Sequence, residues 1–164
     1  MSDIIITQAD LNDRNEYIQA DSIDAPGNLT VEAGLGVVIV RCAITAKLQI
    51  TAKAGSGIKA GWGIKAGWGI EAGWGIEAGE GIKAGWGIEA GEGIKAGEGI
   101  EAGWGIEAGE GIEAQLRIFA GLCPLRLPTE DEMTIKCLRL IGGVVAFGTL
   151  IETAKADSAN EVQP

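Results

Sequence analysis

Ten glutamates and five tryptophans recur at fixed spacing through the middle of this 164-residue chain, and their side chains are the ones most suited to chemistry or recognition. Paired carboxylates can do acid–base work of the kind glycosidases use. Nothing, however, sets one pair apart among ten near-identical copies. The chain contains no histidine. That removes the usual general base, the Ser-His and Cys-His nucleophile pairs and the commonest metal ligand. Cys42, Cys123 and Cys137 are scattered and form no CxxC pair, so neither a disulfide framework nor a structural zinc site is expected. An Asp-rich calcium loop is missing as well. The expectation is a protein that is not an enzyme, with no catalytic residue, no metal site and no cofactor.

Charge narrows the partners. Acidic residues number 23 against 13 basic, a net charge of −10, which argues against direct binding to nucleic acid or to an anionic membrane. The N-terminal apolar run Ile4–Ile6 has no positive flank and is too short for a signal peptide. Val144–Ile151 falls far short of the roughly 20 residues a membrane helix needs. A cytoplasmic protein is expected, in the host cytoplasm if a phage encodes it.

The elements that must position the glutamates and tryptophans follow from a six-residue period. From Gly57 to Ala114 the chain repeats Ile-(Lys/Glu)-Ala-Gly-(Trp/Glu)-Gly, with isoleucine at every sixth position from 58 to 112. Weaker copies lie upstream, such as Val31-Glu32-Ala33-Gly34 and Ile44-Thr45-Ala46. Ile118-Phe119-Ala120-Gly121 keeps the register for one more unit. In an extended Ile-x-Ala the outer two side chains share a face and the middle one points away. Ile and Ala are therefore expected inside and Lys or Glu outside. The Gly-x-Gly that follows is expected to turn a corner with glycines at positive φ. Eighteen glycines between Gly61 and Gly111 carry an entropic load of roughly 0.5–1 kcal/mol each. A disordered glycine-rich segment would avoid that load, but the strict isoleucine register speaks for folding, since each burial is worth about 2 kcal/mol.

A second period hides in the variable positions. At a spacing of 18, Trp68, Trp86 and Trp104 form a pure column. Trp62 heads Glu80 and Glu98, and Trp74 heads Glu92 and Glu110. Lys59, Glu77, Lys95 and Glu113 alternate in sign, whereas Glu71, Glu89 and Glu107 are all acidic. The fold class expected is all-β, a single-stranded three-sided β-solenoid of about 18 residues per coil, with neighbouring coils about 4.8 Å apart. Residues 1–16 read as an N-terminal cap and 17–123 as the solenoid, with perfect hexads over 58–114. Residues 124–152 read as a closing loop and β-hairpin turning at Gly142-Gly143, and 153–164 as a disordered tail.

The hexapeptide period is similar to that of the left-handed β-helix acyltransferases. Their small residue sits at the fifth position after the aliphatic one, where this chain has Trp or Glu, and their chemistry leans on histidine. The Ile-x-Ala-Gly string resembles the bactofilin-like, polymer-forming solenoids of bacteria, which are non-catalytic scaffolds. A closer resemblance is to uncharacterised bacterial and phage repeat proteins. It is carried by GIKAGWGIEAGW units, a closing segment like Leu116–Leu122 and a hairpin like Val145–Leu150, and it covers about Val31 to Glu152. What it implies is the fold.

Two surface features are candidates for function. Trp62, Trp68, Trp74, Trp86 and Trp104 are expected to point outward as interface residues, or to lie over glycine corners and shield the backbone. Glu71, Glu89, Glu92, Glu107 and Glu110 form an acidic strip that serves a partner or only solubility. The leading expectation is a scaffold that binds protein through the Trp face, including a second copy of itself as a homodimer. The alternative is an acidic nucleic-acid mimic, a phage-borne anti-defence inhibitor of a nucleic-acid-binding host protein.

Overall fold

An Ile-x-Ala unit is too short to bury anything alone, and it gains burial only by stacking on copies of itself. In a computed structural model, which describes residues 2–123 and 126–153, the units stack in parallel and in register. Ile58, Ile76, Ile94 and Ile112 are successive partners, as are Ile64, Ile82, Ile100 and Ile118. Ile70, Ile88 and Ile106 form the third row and continue to Ile135. Within the repeats the partner always lies 18 residues away, so three strands make one coil and the protein is a three-sided β-solenoid. Every isoleucine of these rows is buried, and the alanines two residues on complete the core.

The three faces can be followed by their strands. The first face holds eight, from Ile4–Ile6 and Leu29–Val31 through Ile70–Ala72, Ile88–Ala90 and Ile106–Ala108 to Thr134–Cys137 and Thr149–Glu152. The second includes Gly36–Val40, Ser56–Ala60, Ile76–Ala78 and Ile94–Ala96, and the third includes Ile23–Ala25, Ile44–Ala46, Ile64–Ala66, Ile82–Ala84 and Ile100–Ala102. Two long strands, Gly111–Phe119 and Arg139–Phe147, bend across the second and third faces together. Upstream coils are longer: Ile44 pairs with Ile64 and Ile23 with Ile44, at spacings of 20 and 21. The extra residues widen the corner between the first and second faces, at Glu32–Gly36 and again at Lys53–Gly57. There the buried Ser56 hydroxyl donates to the Glu32 carbonyl and accepts from the Leu35 N–H, at 2.6 and 3.0 Å, so it pairs a backbone acceptor and a backbone donor of the widened corner.

The repeat corners work differently from the expectation of positive φ. Among the described glycines, positive φ occurs at Gly34, Gly36, Gly55, Gly121, Gly143 and Gly148, none of them in a Gly-(Trp/Glu)-Gly corner. What the first corner glycine supplies is space. A Cβ built at Gly79 would collide with the Gly61 carbonyl oxygen one coil away, and one at Gly97 with that of Gly79. The second corner glycine is less constrained, for a Cβ at Gly81 would lie 3.4 Å from the Gly99 oxygen. Close approach of backbones, rather than left-handed conformation, is why the corner needs glycine.

Both ends differ from the expected caps. Residues 1–16 do not simply cover the first coil, because Ile4–Ile6 is itself a strand of the first face, paired with Leu29–Val31. The segment after it closes the end. Leu11 joins the buried core, Tyr17 packs against it, and Leu11 bridges to Tyr17. At the other end the described strands form no β-hairpin. Arg139–Phe147 runs parallel to Gly111–Phe119, and Thr149–Glu152 runs parallel to Thr134–Cys137, with Ile135 opposite Leu150. Gly142-Gly143 is a corner between the second and third faces, not a reversal. Leu140, Val145 and Leu150 keep an inward spacing that a shortened coil can align, and an antiparallel turn would have broken it. The solenoid therefore extends from Ile4 to Glu152, beyond the 17–123 expected. The tail from residue 154 on lies outside the described residues.

If corner space sets the coil spacing, the two glycines of one corner will respond unequally to a methyl group. Gly79→Ala is expected to cost about 3 kcal/mol, the upper range of overpacking, because the opposing atom is backbone. Gly81→Ala is expected to stay within about 1 kcal/mol of wild type, since relief of unfolded-state entropy offsets the tighter contact. Urea unfolding of the two variants checks this, and equal midpoints would refute it.

Candidate functional site

The corner between the third and first faces carries Trp68, Trp86 and Trp104. Corner peptides one coil apart are hydrogen-bonded: the Trp86 N–H donates to the Trp68 carbonyl at 3.1 Å and the Trp104 N–H to that of Trp86 at 3.3 Å. With the backbones tied in this way the rings must stack. Their centroids are 5.0 Å apart at both steps and their planes 6° apart, within the range of favourable aromatic pairs. The ladder is thus neither a set of free rings nor a set of rings laid on glycine, as the sequence had suggested. The indoles use their faces on one another and present their edges, with Trp68 41% and Trp86 37% exposed.

Arg126 ends the ladder. Its guanidinium lies over the Trp104 ring, 5.9 Å from the centroid, a cation–π geometry. Glu132 holds it from the other side with two hydrogen bonds, 2.7 Å to Nη1 and 2.5 Å to Nη2, and also accepts from the Thr129 N–H at 2.8 Å. The Arg126 bonds, and then the Thr129 N–H, hold the Glu132 carboxyl down at about 2. Trp104 Nε1 is buried and has no hydrogen-bond partner.

The glutamates fall where the 18-residue period places them. Glu71, Glu89 and Glu107 are direct neighbours across adjacent strands of the first face. Stacked like charges repel, and the relief is partial, for Lys136 reaches Glu107 at 3.7 Å from the next coil. The other faces carry ion pairs, although Lys65 and Lys83 are direct neighbours on the third. Lys59 pairs with Glu77 and Lys95 with Glu113 on the second, and Lys83 with Glu101 on the third, at 2.9, 3.1 and 2.5 Å. Glu92 and Glu110 stand at the corner between the first and second faces, under Trp74. Trp62 and Trp74, both exposed, sit on other corners and do not join the ladder. Of the five tryptophans, the structure brings together three.

The ladder and the glutamate row border the same depression. A groove of about 470 Å³ runs along the first face, with Trp86 and Trp104 on one side and Glu71, Glu89 and Glu107 on the other. Its floor includes Gly69, Gly87 and Gly105, and Lys136 closes one end. Among the described residues no three histidine, cysteine or acidic side chains converge to hold a metal ion, and no helix is long and apolar enough to cross a membrane. Comparison with protein-family models, curated proteins and solved structures finds no match.

Arg126, Glu132 and Lys136 were not singled out from the sequence. Arg126 and Glu132 belong to an irregular loop with no period to align. Lys136 did carry a signal, because Ile135-Lys136-Cys137 is one more Ile-x-small unit, and aligning it would have placed a lysine on the glutamate row.

Two measurements follow. Trp86→Ala removes both stacked contacts at once and is expected to cost about 2 kcal/mol from stacking, with loss of the indole exciton couplet in the far-UV circular dichroism; an unchanged spectrum would contradict the ladder. Glu132 is expected to titrate near pH 2 by NMR, and Arg126→Gln to return it toward 4.5. Because the folded value is the lower one, the stabilisation the pair gives is complete above pH 4.5 and disappears as pH falls through about 2.

Proposed function

We propose that this protein is a non-enzymatic binding scaffold that docks an extended, basic segment of a partner protein along the first face, in the cytoplasm. The observation that carries this proposal is that the Trp ladder and the glutamate row, relieved only at its Glu107 end, line the two sides of one groove. Lysine or arginine side chains laid in it would meet carboxylates on one flank and indole edges on the other. The three thiols are unpaired, in keeping with a reducing compartment. A second copy of the chain is disfavoured on this face, because two copies would bring their glutamate rows together.

The alternative, a nucleic-acid mimic, is favoured by the in-line row of Glu71, Glu89 and Glu107 taken alone. The two differ in what the tryptophans do. A peptide of alternating arginine and glycine is the probe. On the groove proposal it quenches tryptophan fluorescence, its affinity falls steeply with salt, and it loses at least tenfold in Kd both with Glu71→Gln/Glu89→Gln and with Trp86→Ser. Loss with the glutamate changes alone would favour the mimic. Binding that is indifferent to both sets and to salt would overturn the proposal.

A further inference from the structure

The two ends of the solenoid are finished differently. At the N-terminal end Ile6 and Leu11 are buried, and the segment from Thr7 to Tyr17 lies against the core. The C-terminal end has no such cover among the described residues. Leu140, Val145 and Leu150 point inward like the isoleucines beneath them, yet they are only half-buried. Around them Ile141 and Val144 are 61% and 65% exposed, and Phe147 and Ile151 are exposed too. The strands of this coil, Arg139–Phe147 and Thr149–Glu152, each pair with the coil below, and no described strand lies beyond them. An unpaired, apolar sheet edge is a template for another chain.

We infer that the C-terminal coil is covered by the same coil of a second copy, giving an end-to-end dimer about a twofold axis. Three observations select this occupant. The end is electrically balanced: residues 115–153 carry Arg117, Arg126, Lys136 and Arg139 against Glu130, Asp131, Glu132 and Glu152. Two copies can therefore meet there without the repulsion that opposes contact through the first face. The eleven residues 154–164 offer a single branched aliphatic, Val162, too little to cover three inward aliphatics and their apolar rim. Finally, among the described residues only the C-terminal end leaves its core aliphatics half-covered, whereas Ile6, Leu11 and Ile23 are buried at the N-terminal end. Like edges that meet about a twofold pair antiparallel and close, and the segment packed on the N-terminal end keeps a third copy from adding. The association stops at two and does not become a filament.

Sedimentation equilibrium of the full chain tests this inference independently of peptide binding. The expected mass is twice 16.9 kDa. Ile141→Glu and, separately, Val144→Lys are expected to give monomers with unchanged far-UV circular dichroism, since both side chains are exposed in the single chain. Trp86→Ser should leave the dimer intact. A wild-type monomer at high micromolar concentration would overturn the inference, and so would a mass that keeps climbing with concentration. Deleting residues 154–164 should leave two chains per particle; if it turned a monomer into a dimer, the tail would be the cover.

Discussion

The stacking of the coils depends on a contact made by backbone alone. At each corner of the repeat a peptide carbonyl points at the Cα of the first corner glycine one coil on, at a separation that leaves no room for a Cβ. The corner N–H groups donate across the same gap, as from Gly79 to the Ala60 carbonyl at 3.0 Å. Glycine at this position lets three sharp corners close an 18-residue coil and sets the coils at strand spacing on all three faces. The isoleucine–alanine core, buried throughout the repeats, supplies the driving force. The corners decide which isoleucine stacks on which.

Strict register has a chemical consequence, because it places like residues on like. For tryptophan this is favourable, since indoles held one coil apart stack and shield each other. For glutamate it is unfavourable, and the three faces deal with it differently. The second face alternates Lys59, Glu77, Lys95 and Glu113, the third sets Lys83 against Glu101, and the first stacks Glu71, Glu89 and Glu107 with Lys136 only at its end. The same hexad that elsewhere carries lysine in this slot could have relieved the first face. That this row stays acidic beside the aromatic ladder gives the groove its polarity, and it is the physical basis for assigning the groove a basic partner.

Much of this was legible in the sequence. Isoleucine at every sixth residue and the pure Trp column at every eighteenth give coil length and the number of faces, and the positions of Glu71, Glu89, Glu92, Glu107 and Glu110 follow from that count alone. Less legible was whatever depends on contact between coils. Glycine's lack of a Cβ and its tolerance of positive φ leave the same mark in a sequence, so the corners were assigned the wrong reason for glycine. Gly142-Gly143 likewise serves a hairpin and a solenoid corner equally well, and only the inward alignment of Leu140, Val145 and Leu150 separates the two. Stacking of the indole faces, and Arg126 seated on the last of them, arise from distances that no spacing rule contains.

The ladder, the glutamate row and the groove all depend on which corner lies above which. In a uniformly labelled sample, NMR scalar couplings across hydrogen bonds read this directly, from the donor nitrogen to the carbonyl carbon it points at. The stacked-corner geometry predicts a coupling from the Trp86 nitrogen to the Trp68 carbonyl and from Trp104 to Trp86, always 18 residues back. Coupling from Trp86 to the Trp74 carbonyl, 12 residues back, would mean a two-sided coil and would contradict the ladder, the glutamate row and the groove between them.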